Sequence, residues 1–315
     1  MKRTMLALFL SPWLAGAAYA GNDVPTPPPD APQAPRAPRP PHGPLAPLPP
    51  LPPMSNGPMG SSTATLDVKG TVTLRADVIS ADLEVVGGGG KQVKAQLIDS
   101  SGAVSLSQSG DRVEVSLQNK SGWPHVPAGI DGRLRLEVPQ GTNVELTSAS
   151  GDIQVRDTNG NVRLRTASGE VRLRKVGSVE VMAVSGDVVV ESATGEVRLR
   201  TVSGDAQVSQ NGGGASKLEY GTTSGDLDWT GTCKAGCRIE ARSTSGDVKL
   251  RMSSDSSFDL RYVSHSGDVS DDLKMQTLEQ NDGRRGGASL HARYGKGEGL
   301  VELQTFSGDL HVARK

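Results

Sequence analysis

The sequence predicts an all-β protein whose fold is a β-solenoid, also called a parallel β-helix. An irregular β cap forms the N-terminal part, and repeats of about 9 and 21 residues follow it. Apolar and charged residues alternate after residue 60, as in Val162-Arg163-Leu164-Arg165, and such alternation is typical of strands with one buried face. Turns that contain glycine recur at fixed intervals, which indicates a solenoid. Only 3% of the residues are aromatic, so the predicted core is aliphatic. No segment has sustained helical periodicity, and we expect almost no helix.

The recurring turns have the form Ser-Gly-Asp, with Ser-Gly-Glu and Thr-Gly-Glu as variants. From Gly151 to Gly204 the glycines are 9, 9, 8, 9, 9 and 9 residues apart, then three intervals of 21 follow, and the last interval, to Gly308, is 41. Glycine readily adopts the positive φ of a tight corner, where Ser and Asp hydrogen-bond to the local backbone. Two nine-residue units per coil therefore predict a stack of coils with two walls.

This arrangement predicts which side chains face the interior and which face solvent. One wall consists of Ile153/Val155, Val171/Leu173, Val188/Val190 and Ala206/Val208, and the other of Val162/Leu164, Val179/Val181 and Val197/Leu199. Outside the second wall, neighbouring coils should place Arg163, Glu180 and Arg198 in a ladder of alternating charge.

The first 61 residues are of a different kind. Residues 1–20 have a basic start, an apolar stretch and an Ala-Tyr-Ala end, so they predict a signal peptide that is cleaved between Ala20 and Gly21. Residues 21–61 are rich in proline, which favours an extended spacer over helix or central strand. Residues 62–147 keep the alternation without the nine-residue period, and we interpret them as the N-terminal β segment. Residues 148–315 are the predicted repeat solenoid.

Several motifs resemble those of one known group of proteins. These are the strand that ends in Leu136-Glu137-Val138-Pro139, the following Thr142-Asn143-Val144-Glu145-Leu146, and the run of Ser-Gly-Asp units. They resemble the bacterial putative-adhesin family, whose members are exported β-solenoid proteins of undefined function. The resemblance covers about residues 62–315. It implies a surface role and supplies no catalytic residues.

The acidic residues of the turns are the strongest candidate for chemistry. Carboxylates stacked about 4.8 Å apart repel one another, so hydrogen bonds, arginines or Ca²⁺ must offset the repulsion. The nine-residue unit is that of calcium β-rolls, but the sequence has one acid per turn and lacks their Gly-Gly-x-Gly-x-Asp spacing. The candidate calcium column comprises Asp152, Glu170, Asp187, Asp205, Asp226, Asp247 and Asp268.

The cysteines and aromatic residues each allow two interpretations. Cys233 and Cys237 are the only cysteines, and in an exported protein such a close pair predicts a structural disulfide rather than a redox-active pair. Aromatic residues concentrate after residue 219, where they either fill a wider core or form a binding surface. The aromatic residues in question are Tyr220, Trp229, Phe258, Tyr262, Tyr294 and Phe306.

The charge balance limits the classes of partner. With 34 Lys+Arg against 35 Asp+Glu the formal net charge is -1, which argues against a nucleic-acid binder. No apolar run after the signal region is long enough for a membrane span. We therefore expect a non-enzymatic envelope protein without a cofactor, in the periplasm or on the surface, whose partner is a protein or polysaccharide. The alternatives are a periplasmic accessory protein in envelope stress, a calcium-dependent β-roll and a carbohydrate-active β-helix.

Overall fold

The computed structural model describes residues 60–88, 90–100, 102–119, 132–210, 216–282 and 287–315. The predicted signal peptide, its cleavage site between Ala20 and Gly21, and nearly all of the proline-rich segment lie outside the described residues. The first strand begins at Gly60. The described secondary structure consists of strands and turns, without helix, so the all-β prediction is confirmed.

The strands are numbered in chain order. The N-terminal group is β1 (Gly60–Asp67), β2 (Thr73–Val78), β3 (Asp82–Gly87), β4 (Gln92–Ser100), β5 (Gly102–Ser109), β6 (Arg112–Asn119), β7 (Arg133–Val138) and β8 (Asn143–Ser148). The middle group is β9 (Ile153–Arg156), β10 (Val162–Thr166), β11 (Val171–Arg174), β12 (Val179–Ser185), β13 (Val188–Glu191), β14 (Val197–Ser203) and β15 (Ala206–Gln210). The C-terminal group is β16 (Lys217–Ser224), β17 (Leu227–Gly231), β18 (Arg238–Ser245), β19 (Val248–Met252), β20 (Phe258–Ser266), β21 (Val269–Asp271), β22 (Gln276–Asp282), β23 (Ala288–Tyr294), β24 (Gly299–Ser307) and β25 (Leu310–Arg314).

From β7 to β21 successive strands alternate between two sheets, so each turn of the chain there adds one parallel strand to each sheet. The 12-stranded sheet has the order β1-β4-β7-β3-β9-β11-β13-β15-β17-β19-β25-β21. The 13-stranded sheet has the order β22-β23-β20-β24-β18-β16-β14-β12-β10-β8-β2-β6-β5. The middle coils, β9 to β15, lie within residues 148–315, the predicted solenoid.

The predicted interior walls are confirmed residue by residue. In the 12-stranded sheet Val171 pairs with Ile153 and Val188, and in the 13-stranded sheet Val179 pairs with Val162 and Val197. All of the predicted wall residues are buried. Burying a valine or leucine side chain contributes about 1.5–3 kcal/mol, so the stacked walls supply most of the stabilisation of this thin core.

The order of the coils differs from the sequence order at both ends. The last coil, β24 and β25, lies between the coil of β18/β19 and that of β20/β21. The first coil, β2 and β3, lies between β8/β9 on one side and β6/β7 on the other. The antiparallel strands β1, β4, β5, β22 and β23 lie outside these inserted coils.

The two corners of each coil use glycine for different reasons. At the first corner, Gly151, Gly169 and Gly186 have φ of +108°, +108° and +118°, and they stack directly on one another. A Cβ on Gly169 would lie 2.3 Å from the carbonyl oxygen of Gly151. At the opposite corner of the middle coils, Gly160, Gly177 and Gly195 lack this φ and instead permit close backbone approach: a Cβ on Gly160 would lie 2.0 Å from the carbonyl oxygen of Thr142. The Thr194-Gly195-Glu196 turn, grouped with the Ser-Gly-Asp turns by its sequence, belongs to this second corner.

The late aromatic residues mainly widen the C-terminal core. Trp229, Tyr220, Phe258 and Tyr262 are all at least 98% buried. Phe306 is the exception, with 58% of its surface exposed, and its ring stacks on His265 at a centroid distance of 4.7 Å. The interpretation that the aromatic residues fill a wider core is therefore confirmed for these four, and a binding surface at this end stays a prediction. Among the described residues no helix has the length and hydropathy that a membrane span requires.

Candidate functional site

The corner that carries the Ser-Gly-Asp turns is held by a recurring side-chain hydrogen bond. A hydroxyl two residues before the corner serine donates to that serine's carbonyl oxygen, as from Thr166 to Ser168 at 2.8 Å and from Thr201 to Ser203 at 3.0 Å. The same bond occurs at Ser148, Ser243, Ser264 and Thr305. This bond satisfies a carbonyl where the strand ends, which explains the hydroxyl in the Thr-x-Ser-Gly-Asp motif.

The acidic residues of these turns form one continuous row, which we call the carboxylate row. It includes all seven acids of the predicted calcium column and two further acids, Asp82 and Asp309. Asp309 lies between Asp247 and Asp268 because the last coil is inserted there. In spatial order the carboxylate row is Asp82, Asp152, Glu170, Asp187, Asp205, Asp226, Asp247, Asp309 and Asp268.

Seven of the nine carboxylates in this row accept a hydrogen bond from a backbone amide of the next coil. The backbone N–H of Asp205 donates to Oδ1 of Asp187, and that of Asp226 donates to Oδ1 of Asp205, both at 2.9 Å. Equivalent bonds of 2.7–3.1 Å join every step except Glu170 to Asp187. Glu170 instead forms an ion pair with Arg172 at 2.6 Å. Amide donors thus offset the repulsion between stacked carboxylates, which was the first of the three possibilities considered.

The calcium interpretation requires several oxygen ligands around one ion. Within the described ranges no group of three or more His, Cys, Asp or Glu side chains is arranged to hold a metal ion. One oxygen of most carboxylates in the row is already taken by an amide. The geometry of the carboxylate row therefore favours a structural role for these acids.

Two buried tyrosines lie behind the carboxylate row. The hydroxyl of Tyr262 donates to the carbonyl oxygen of Gly308 at 2.8 Å, and that of Tyr220 lies 3.4 Å from the carbonyl oxygens of Gly225 and Asp226. Burial raises the pKa of Tyr220 to about 12, and the nearby carboxylates of Asp205 and Asp226 add to the increase. Burial likewise raises the pKa of Tyr262. Both hydroxyls therefore stay protonated and act as donors to the corner.

A second row of exposed side chains precedes the corner serines, on the outer face of the 13-stranded sheet. We call it the apolar row, because most of its members are aliphatic or aromatic. Exposed fractions are 47% for Ile79, 55% for Val184 and 51% for Val202. In spatial order the apolar row is Ile79, Ala149, Ala167, Val184, Val202, Thr223, Thr244, Phe306 and His265.

A charged row runs parallel to the apolar row, four residues earlier in each strand. The predicted ladder of Arg163, Glu180 and Arg198 is confirmed, with Arg163 Nε 2.9 Å from Glu180 Oε2. Arg198 pairs with Glu219 at 3.4 Å rather than with Glu180. In spatial order the charged row is Arg75, Glu145, Arg163, Glu180, Arg198, Glu219, Glu240, Glu302 and Arg261.

Cys233 and Cys237 form a disulfide between β17 and β18, and both residues are buried. The loop that they close contacts the inserted coil, since the backbone N–H of Leu300 donates to the carbonyl oxygen of Cys237 at 3.0 Å. Within the loop, a hydrogen bond from Lys234 is the main reason that the pKa of Asp255 falls to about 2. The disulfide thus lies where β24 enters the 13-stranded sheet.

These features define an all-β solenoid protein whose regular corners are built from stacked Ser-Gly-Asp turns. The chain belongs to the Toastrack DUF4097 family, because the family model matches residues 73–313. None of the curated proteins matches the chain.

Several solved structures are similar to the chain at low sequence identity. A putative cell adhesion protein from Clostridium sporogenes is 12% identical with a TM-score of 0.29, and the alignment covers 81% of this chain and 100% of that one. A putative adhesin from Bacteroides fragilis is 13% identical with a TM-score of 0.36, covering 80% and 97% of the two chains. A putative adhesin from Parabacteroides distasonis is 9% identical with a TM-score of 0.31, covering 81% and 98%.

Proposed function

We propose that the protein is an exported, non-enzymatic binding or scaffolding module of the bacterial cell envelope, with an adhesin-like role. The observation that carries this proposal is the corner surface, where the carboxylate row and the apolar row repeat with every coil. A ligand that extends along the solenoid meets a carboxylate of the carboxylate row about every 4.8 Å, which suits a fibrous protein or a polysaccharide. The acids of the carboxylate row bond to backbone amides, which supports a structural rather than a catalytic use.

The disulfide supports the exported location, because disulfides persist in oxidising compartments outside the cytosol. In this proposal residues 1–20 are removed after Ala20, residues 21–61 form a spacer, and residues 62–147 and 148–315 form the two parts of the binding module. The partner is then an extracellular or envelope protein or polysaccharide, and no cofactor is required.

Protease shaving of intact cells tests this proposal. The solenoid is detected with an antibody against residues 62–315, and a periplasmic protein serves as the control for membrane integrity. Loss of the solenoid signal while the control survives is expected for a surface adhesin. Protection until the outer membrane is opened would favour the alternative, a periplasmic accessory protein in envelope stress.

A further inference from the structure

The exposed apolar side chains of the protein are concentrated at one place. Of the six large hydrophobic side chains that are exposed among the described residues, four belong to the apolar row and a fifth, Val263, lies beside it; Leu278 on β22 is the sixth. Single exposed hydrophobic residues are common on soluble proteins. A contiguous exposed strip of them marks an interaction surface.

The charged row beside this apolar strip indicates which partner binds to the strip. Apart from Arg261 at its end, the charged row reads Arg75, Glu145, Arg163 and Glu180 in its first half, and Arg198, Glu219, Glu240 and Glu302 in its second half. Reversing the second half places a glutamate opposite Arg75 and Arg163 and an arginine opposite Glu180. The surface is therefore nearly complementary in charge to an inverted copy of itself.

We propose that two copies of the chain pair through these rows about a two-fold axis that runs between β12 and β14, parallel to the strands. Val184 of one copy then faces Val202 of the second copy, and Ile79 faces Phe306 of the second copy. Arg163 faces Glu219 of the second copy. A contact of this kind is isologous, because the same patch serves both subunits.

The charge pattern selects this antiparallel arrangement over a parallel one. In a parallel pairing the two-fold axis would run along the solenoid, and only residues on that axis would meet their own counterparts. With the axis on the charged row, Arg163 would face Arg163 and Glu180 would face Glu180, which is unfavourable along the whole row. Only the antiparallel pairing places both rows of one copy opposite the same rows of the second copy. In the antiparallel pairing one kind of like-charged contact remains, Glu145 with Glu240 of the second copy, and the symmetry makes it occur twice. Each of these two glutamates has an arginine beside it in its own chain: Arg163 lies 3.8 Å from Glu145, and Arg238 contacts Glu240.

The size of the patch also suits a second copy. Eight strands spaced about 4.8 Å apart extend over about 34 Å, and the two rows with the one between them are about 20 Å wide. The patch is therefore about 700 Å² per copy, or about 1,400 Å² in total, which falls within the range of specific protein interfaces. Because the surrounding contacts are ionic, the dimer should weaken as salt concentration rises. This inference goes beyond the proposed function, which does not depend on self-association.

Cysteine cross-linking tests the pairing in the exported protein with its native disulfide intact. Ile79→Cys and Phe306→Cys proteins, carrying different tags, are mixed and mildly oxidised. We expect the mixed disulfide dimer to form at least about tenfold faster than with a Gln207→Cys control, whose exposed cysteine lies on the 12-stranded sheet. Ile79→Cys alone should not cross-link, because its two copies lie about 34 Å apart along the pair.

Each alternative arrangement gives a different result. Rapid cross-linking of Ile79→Cys with itself would overturn the antiparallel pairing in favour of a parallel one. Cross-linking no faster than the Gln207→Cys control would overturn self-association through the apolar row. Light scattering gives an independent measurement: the wild type should have twice the monomer mass at low salt, and Val184→Asp, a change at an exposed position, should return it to the monomer mass. A wild type of monomer mass at low salt would also overturn the proposal, whereas the shaving experiment would be unaffected.

Discussion

The middle coils and the C-terminal end follow the same corner chemistry but differ in how the chain is threaded. From β8 to β19 each coil stacks on the one that precedes it in sequence, and the core is aliphatic as far as β15. After β19 the chain first forms the outer coil of β20 and β21, and then returns to insert β24 and β25 beneath it. Aromatic side chains fill the core at this end. The difference shows that a repeat can determine the contacts of a coil without determining its position in the stack.

The largest expected effect comes from removing the inserted coil. A chain that ends at Glu298 loses β24 and β25, so β20 loses its parallel neighbour and β18 loses one of its two partners. We expect amide exchange in β20 to accelerate at least about 100-fold, while β9 to β13 stay protected as an internal control. Unchanged protection in β20 would mean that the outer coil is stable without the inserted one.

In the middle coils, Gly204→Ala tests how tightly the corners stack. Gly204 has φ of +128°, and an added Cβ would lie 2.3 Å from the carbonyl oxygen of Gly186. We expect a loss of about 3 kcal/mol in the free energy of unfolding, measured in urea. Gly221→Ala is the matched control, because Gly221 has ordinary φ and open space around it, and it should change stability by less than about 1 kcal/mol. Equal effects of the two substitutions would contradict the corner-stacking argument.

At the C-terminal end, Tyr220 should make stability depend on alkaline pH. Its pKa is about 12 in the folded protein, against an ordinary value of about 10, so the folded state favours the protonated hydroxyl. The resulting stabilisation is complete below pH 10 and is lost as pH rises from about 10 to 12, by about 3 kcal/mol. Thermal unfolding measured across this pH range should show the loss of stability. The Tyr220→Phe variant should lack the part of the pH dependence that comes from Tyr220. A decline as steep in the variant would assign the effect to other groups.

The smallest expected effect concerns the carboxylate row. Asp205→Ala removes the acceptor for the Asp226 amide and should cost about 1 kcal/mol, whereas Asp205→Asn keeps an oxygen there and should be nearly neutral. A calcium chelator should leave the melting temperature of the wild type unchanged. If the chelator lowers it markedly, the calcium interpretation of this row is correct and the structural one is wrong.

The sequence was sufficient to predict the middle coils because two independent periods agree there. The two-residue alternation identifies the buried face of each strand, and the nine-residue turns set the register, so the pairing of Val171 with Ile153 follows. The carboxylate row was predicted in part, because Asp82 follows Ala81 rather than a corner glycine and escapes the motif. Within the 41-residue interval before Gly308 the chain forms β21 to β23 and then turns back, so that β24 pairs with both β18 and β20. The repeat period does not predict which strands become the neighbours of such an inserted strand.

The apolar row was not predicted, for a related reason. Its members are ordinary residues such as Ala149, Val184 and Thr223, which share only their place before the corner serine. Phe306 was expected in the core or on a surface, and only the stacking order of β24 shows that it joins this row, next to His265. Rows that run across strands become visible once the order of the coils is known.

The assignment of alternate turns to opposite corners constrains how such a gene can change in length. Each regular coil contributes one strand to each of the two sheets. A deletion of nine residues would therefore place every later strand in the other sheet and move its acidic residue to the opposite corner. A duplication of a whole coil, such as the 21 residues between Gly204 and Gly225, preserves both corners and adds one rung. Relatives should therefore differ in length by whole coils. Duplication of a coil can lengthen the solenoid without introducing a new type of side-chain contact.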